Sequence, residues 1–408
     1  YCYSNQLGGT LSNSLGSLTA LTHLLLHYNQ FIGQIPESLG NLTNLQGLTM
    51  NHNYLSGPMP STLGKCTSMT YLDLSFNYIS GNIPETTGNL RALKYLYVNS
   101  NQLGGTVPSS MGNLSLLIDL FLNSNQLNGT LPSSLGSLSS LNRLVLQYNQ
   151  FTGQIPESLG RLTNLKALSA KYNHLTGVIP SSFGNWASMT ILDLSVNNIT
   201  GSIPDTFGNL KAMKYLYAYT NKLTDNLPSS LGKLTALVQL LLSVNQLSGQ
   251  IPESLGNLAS LEALDFNFNN LAGTVPATLS NLQALKYFIL GYNQLVGMLP
   301  SVELMPSLKF MIASYNFLTS VAVPTPACPT YQAVLQFNCF PTNLTICGSL
   351  QYQRNATWCK LFCGNQPSSP PCSGHGVCSY LPPSTDAKCA CDYGYTDGTA
   401  NATCVAQQ

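Results

Sequence analysis

The chain has 408 residues and a formal net charge of +1, and Asp, Glu, Lys and Arg make up only 8% of it. An ordinary soluble domain carries about 25% of these residues, so the surface has neither the basic footprint that holds nucleic acid nor one for acidic membranes. No run of 18 apolar residues occurs and no signal-peptide pattern opens the sequence, which reads as a mature chain or a fragment without a membrane span.

The elements follow one pattern for most of the length. Asn recurs every 24 residues from Asn5 to Asn293, and Asn316 follows after 23; self-similarity at such a period marks stacked repeats. The sequence opens inside a coil, at a strand, with Cys2 in an inward position equivalent to Leu26. Cys2 reads as a reduced core thiol or as the partner of an upstream cysteine. Leu7, Leu11, Leu15 and Leu18 would have no coil stacked on one side. Exposing a large apolar side chain costs roughly 1.5–3 kcal/mol, so this end is expected to be covered, by an upstream cap or by a neighbouring molecule's tail.

Residues 21–44, LTHLLLHYNQFIGQIPESLGNLTN, give one complete coil. Leu24 and Leu26 alternate with outward residues, the period of a half-buried strand. An inward Asn offers both a donor and an acceptor, so a column of them can bond the turns of adjacent coils. Gly33 permits a tight bend, Ile35-Pro36 favours an extended segment off the main ladder, and Leu39 and Leu42 close the coil. Later coils depart from this unit. Thr87 replaces a Leu, Asp225 replaces the turn Gly, Cys66 and Trp186 take the place of Leu42, and residues 301–308 lose the Leu-Gly step. A longer period is also present: QFIGQIPESLG at Gln30 returns as QFTGQIPESLG at Gln150, and the stretch from Asn77 returns at Asn197. The shift is five coils, so surface features are expected to recur at that interval.

Outward strand positions carry Tyr71, Tyr95, Tyr97, Phe121, Tyr215, Tyr217 and Tyr287. Aromatic residues suit strands, but an apolar patch on an open face is also what a partner surface needs, and Tyr is favoured there. These seven are the candidate binding residues, for a protein or, because tyrosines stack on sugar rings, a carbohydrate. Catalytic and metal-binding signatures are missing from the sequence. His23, His27 and His52 map to adjacent strands and could meet, although nothing nearby completes a metal site. Asp73, Asp193 and Asp265 share one strand position in well-separated coils, too far apart for a catalytic pair, and read as a polar face. No cofactor is expected.

On these motifs the chain resembles the plant-type leucine-rich-repeat family over residues 1–318. The resemblance implies an α/β-type repeat solenoid, right-handed, with a concave parallel β-sheet and ligand recognition on the repeat surfaces. That family usually begins with a cysteine-paired cap, which this sequence does not show.

Residues 319–408 break the period. Ten of the twelve cysteines lie here: Cys328, Cys339, Cys347, Cys359, Cys363, Cys372, Cys378, Cys389, Cys391 and Cys404. Dense, even-numbered cysteines read as a disulfide framework in an oxidising compartment, and the absence of paired C-x-x-C knuckles weighs against zinc. Residues 319–362 are read as a cap. Residues 363–408 resemble an EGF-like module on the stretches 372–378 and 389–395; Cys363 could instead belong to the cap. The resemblance implies the pairs Cys363–Cys378, Cys372–Cys389 and Cys391–Cys404, and Lys360-Leu361-Phe362 before the first cysteine speak against calcium. Asn41, Asn113, Asn128, Asn198, Asn343, Asn355 and Asn401 open glycosylation sequons. Asn41 and Asn113 are expected on the convex side. The expected function is non-enzymatic extracellular recognition or adhesion. A structural subunit assembling head to tail into filaments, or an inhibitor of a secreted enzyme, are the alternatives.

Overall fold

A computed structural model describes residues 3–321, 332–335, 338, 350–351, 389–396 and 399–406. The chain divides into two compact units, 1–367 and 368–408. The first is the expected right-handed solenoid. Each coil contributes a three-residue strand, such as His23–Leu25, Tyr71–Asp73 or Tyr215–Tyr217, to one parallel sheet of fifteen strands, each paired with the strand of the next coil. Alternation buries the middle residue of these strands, for example Leu72, Leu96 and Leu216, and turns the flanking residues to the open face.

The Asn column locks the coils together. The Oδ1 of Asn149 accepts the backbone N–H of Leu127 at 3.0 Å, and its Nδ2 donates to the carbonyls of Leu122 at 3.0 Å and Leu146 at 3.1 Å. One side chain therefore serves two coils. The column runs one coil past the repeat pattern seen in sequence: Asn338 takes the N–H of Leu318 and donates to the carbonyls of Ala313 and Leu335. The strands Gln332–Val334 and Leu350–Gln351 extend the same sheet.

After each Asn the chain forms a second strand, two to six residues long, with Gly33 at φ 75° where it bends. These strands pair in sheets of five, three, two and four. The breaks after Gln102–Gly104 and after Lys222–Leu223 lie five coils apart, the second where Asp225 stands in the glycine's place at φ 65°. The return segment is a five-residue 3₁₀ turn such as Glu37–Asn41, entered from Pro36 at φ −64° and closed by the Leu42 N–H on the Leu39 carbonyl. The five residues between Pro36 and Leu42 leave room for this tight form and no longer helix. Cys66 and Trp186 are fully buried in place of Leu42, and the Trp186 Nε1–H donates to the Leu159 carbonyl at 3.0 Å.

The second unit contains an antiparallel hairpin, Cys389–Thr396 with Thr399–Ala406, in which Cys391 stands opposite Cys404. The side chains of all ten tail cysteines, Cys2, and the sequons Asn343 and Asn355 lie outside the described residues, as does the Asn401 side chain. The remaining sequons are exposed. Asn41 and Asn113 end 3₁₀ turns, away from the long sheet, and Asn128 and Asn198 stand in the segments of the second strands.

Candidate binding face

The open face of the long sheet gathers four of the seven predicted residues into one patch. Tyr71 lies 5.6 Å from Tyr97 and 5.7 Å from Tyr95 between ring centroids, and Tyr97 meets Phe121 edge-on at 4.9 Å. All four are half-buried, as their position on a flat sheet between neighbouring rings requires. Such edge and tilted contacts suit the ring quadrupoles and fix the rings against one another. Tyr215 and Tyr217 form a second pair, at 6.1 Å. Tyr287 stands apart, on the strand between Ala263 and Phe310.

A buried acid anchors the patch. The Asp119 carboxylate accepts the Tyr97 hydroxyl at 2.9 Å and the Arg143 Nε–H at 2.8 Å, and the Arg143 Nη2 bonds its second oxygen. The guanidinium also lies 5.0 Å from the Phe121 ring centroid. Burial, with the Asp73 and Asp119 carboxylates adding to it, pushes the Tyr71 hydroxyl up to about 12. Burial and the bond to Asp119 hold the Tyr97 hydroxyl far above its ordinary value. Both phenols therefore stay neutral at physiological pH and offer hydrogen bonds from fixed rings.

Sequence reasoning missed Asp119 and Arg143. Their signal was available: opposite charges at the same outward strand position in adjacent coils, which parallel pairing sets side by side. Two further columns were missed. The residue before each ladder Asn adopts the left-handed region, and where it is aromatic the rings stack: His52 lies 4.3 Å from Tyr28 and 4.2 Å from Phe76, Tyr148 lies 4.7 Å from Tyr172, and Tyr292 lies 4.1 Å from Phe268 and from Tyr315. The residue before each Leu-Gly step is Ser or Thr, and in most coils its hydroxyl donates to the preceding coil, as Thr62 does to the Glu37 carbonyl at 2.6 Å, whereas the Ser230 hydroxyl is buried without a partner. The period-24 spacing of these residue types is the signal for both.

Among the described residues no three of the His, Cys, Asp and Glu side chains form a group that could hold a metal ion. His52 sits in an aromatic stack, His27 stacks on Tyr3 and bonds Thr49, and His23 bonds Thr22. The three aspartates are not a solvated face. Asp73 and Asp265 are buried, and each of the three carboxylates turns back onto the N–H two residues on, of Ser75, Ser195 or Asn267, at 3.0 Å. Burial raises all three, Asp265 to about 6.

Comparison with known proteins agrees with this architecture. A leucine-rich-repeat region model matches residues 60–183, a leucine-rich-repeat model matches 163–223, and single repeats match 20–42, 44–66, 236–258 and 260–282. No match is found among curated proteins. Among solved structures, the plant peptide hormone receptor RGFR1 in complex with RGF2 is 28% identical, with 86% of this chain and 69% of that one covered at a TM-score of 0.70. A TDR receptor is 30% identical over 81% of this chain, at a TM-score of 0.75, and the match spans 59% of the receptor. A leucine-rich-repeat protein of Leptospira interrogans is 30% identical over 77% of each chain, at a TM-score of 0.63. With the Asn ladder that builds every coil, these matches place the chain in the leucine-rich-repeat family, to which it belongs.

Proposed function

We propose that the chain is an extracellular, non-enzymatic recognition protein that binds its ligand on the open face of the long sheet. The observation that carries the reading is the patch of Tyr71, Tyr95, Tyr97 and Phe121, fixed by the buried Asp119 and the exposed Arg143 paired with it. Large rings held in one geometry lose little freedom on binding, which is why aromatic and Arg side chains dominate binding hot spots. The similar solved structures include peptide hormone receptors, and the matching family models are repeat families. Exposed sequons at Asn41 and Asn113, on turns away from the face, are compatible with glycans that leave it open. The test compares the native chain with a Tyr71→Ala, Tyr97→Ala, Tyr215→Ala variant on glycan and peptide arrays, at matched melting temperature. Loss of the native signals supports the reading; signals retained in full overturn it.

For the tail, the reading remains a cap over 319–362 and an EGF-like module over 363–408, with five disulfides. The cross-strand register of Cys391 and Cys404 supports one of the implied pairs. Mass mapping of unreduced peptides tests it, and free thiols among the ten cysteines would overturn it.

A further inference from the structure

The five-coil period seen in the sequence reappears on the binding face as two copies of one arrangement. Tyr95 and Tyr97 lie 6.3 Å apart with planes tilted by 34°, and Tyr215 and Tyr217 lie 6.1 Å apart with a tilt of 44°. In both copies the second tyrosine is pinned by an acceptor on the next strand. Tyr97 donates to Asp119 at 2.9 Å, and Tyr217 donates to the Gln239 Oε1 at 2.6 Å. Asp119 and Gln239 occupy the same register, opposite Tyr95 and Tyr215. At the strand spacing the copies stand about 24 Å apart. Four strands lie between them, and a ligand crossing the face passes over Phe121 with the Arg143 guanidinium above it, then the short Ala167 and Ser169, then the exposed Ile191.

The two copies differ in charge. Arg143, which neutralises Asp119, has Ala263 as its counterpart beside Gln239. What they share is a tilted pair of phenol rings with one hydroxyl fixed, beside an aspartate, Asp73 or Asp193, whose carboxylate is already turned onto the backbone N–H of Ser75 or Ser195 and away from a ligand. A charged ligand group would be recognised at one copy only. A group recognised at both must be neutral, with an apolar face for the rings and hydroxyls for the phenol edge. A sugar ring has that chemistry, and a polymer presents the same unit repeatedly along its length.

We infer that Tyr95–Tyr97 and Tyr215–Tyr217 are tandem subsites for one unbranched, neutral polysaccharide chain running across the strands. This rests on the proposed use of the face and adds the ligand class and its two-point attachment. Two weak subsites joined by one ligand act at high effective concentration, so a chain long enough to span both binds about a hundredfold more tightly than a short one.

The experiment titrates the full chain with unbranched β-linked oligosaccharides of glucose, xylose and mannose, from disaccharide to octasaccharide. In at least one series, affinity should step up by about a hundredfold once the sugar spans both pairs. Tyr217→Ala should remove the step and leave disaccharide affinity at the other pair unchanged. Deleting residues 149–172, one coil between the subsites, should move the step to a sugar about one unit shorter while the face stays intact. A smooth rise without a step, or a step unmoved by either change, overturns the tandem site while the face remains a binding surface. Absence of saccharide binding at every length, with peptides bound instead, overturns the polysaccharide and leaves the proposed function standing. Loss of every face-dependent signal removes both.

Discussion

Asn149 holds three bonds to buried backbone in two coils. Removing its amide leaves groups that water cannot reach, and each such loss costs about 1–3 kcal/mol. We expect Asn149→Ala to lower stability by about 3 kcal/mol, read from the midpoint of urea unfolding. Thr87 presents the opposite case. It stands where other coils have Leu, is 2% exposed, and its Oγ1 is buried without a partner. Thr87→Val keeps the shape and removes the stranded hydroxyl, so a gain of about 1 kcal/mol is expected in the same assay. Asp265 adds a pH signature. Its folded value is about 6 against an ordinary 3.8, so the folded state favours the protonated acid. Its contribution to stability is complete below the ordinary value and is lost as pH rises through 6, by about 3 kcal/mol at most. Asp265→Asn should melt higher than the native chain at pH 7.5, and the advantage should vanish near pH 3.5. An advantage independent of pH would show that the acid is not the cause.

The 3₁₀ turn shows how tightly consecutive coils meet. A Cβ added at Gly136 would lie 2.4 Å from the Ser158 carbonyl oxygen, a contact that must be relieved by moving backbone. Gly136→Ala is expected to cost about 2 kcal/mol, within the range for overpacking, and differential scanning calorimetry reads the drop. The same turn illustrates what the sequence discloses and what it withholds. Leu39, Gly40 and Leu42 announce the buried return segment by their spacing, because packing permits only small or apolar residues there. The hydroxyl column beside them, from Ser38 and Thr62 onward, is legible only once a neighbouring carbonyl is known to lie within reach. Asn338 escaped for a related reason. It follows Asn316 after a shorter interval, through a segment without the leucine pattern, so only the third dimension identifies it as a rung.

For the whole molecule, the period and the inward columns were plain in the sequence, since each arises from a local rule repeated many times. The candidate face was legible in part. Tyr71, Tyr95, Tyr97 and Phe121 followed from strand alternation, but Asp119 and Arg143 act through a pairing between coils that no single coil displays. A chain built on such pairings should tolerate removal of a whole coil and not of a fraction. Deleting residues 149–172 rejoins Tyr148 to Asn173 in phase, whereas deleting half that stretch sets an exposed residue where a ladder Asn belongs. The first deletion should retain a cooperative melt and native-like circular dichroism; the second should melt broadly or aggregate. The Asn ladder carries a further consequence for motion. Each rung couples only to its neighbours, so the solenoid behaves as a one-dimensional lattice. Opening a coil at an end severs one interface, and opening one in the middle severs two. Amide hydrogens near Leu146 should therefore exchange more slowly than those near Leu26 or Met311, and thermal opening should travel inward from the termini like the fraying of a rope.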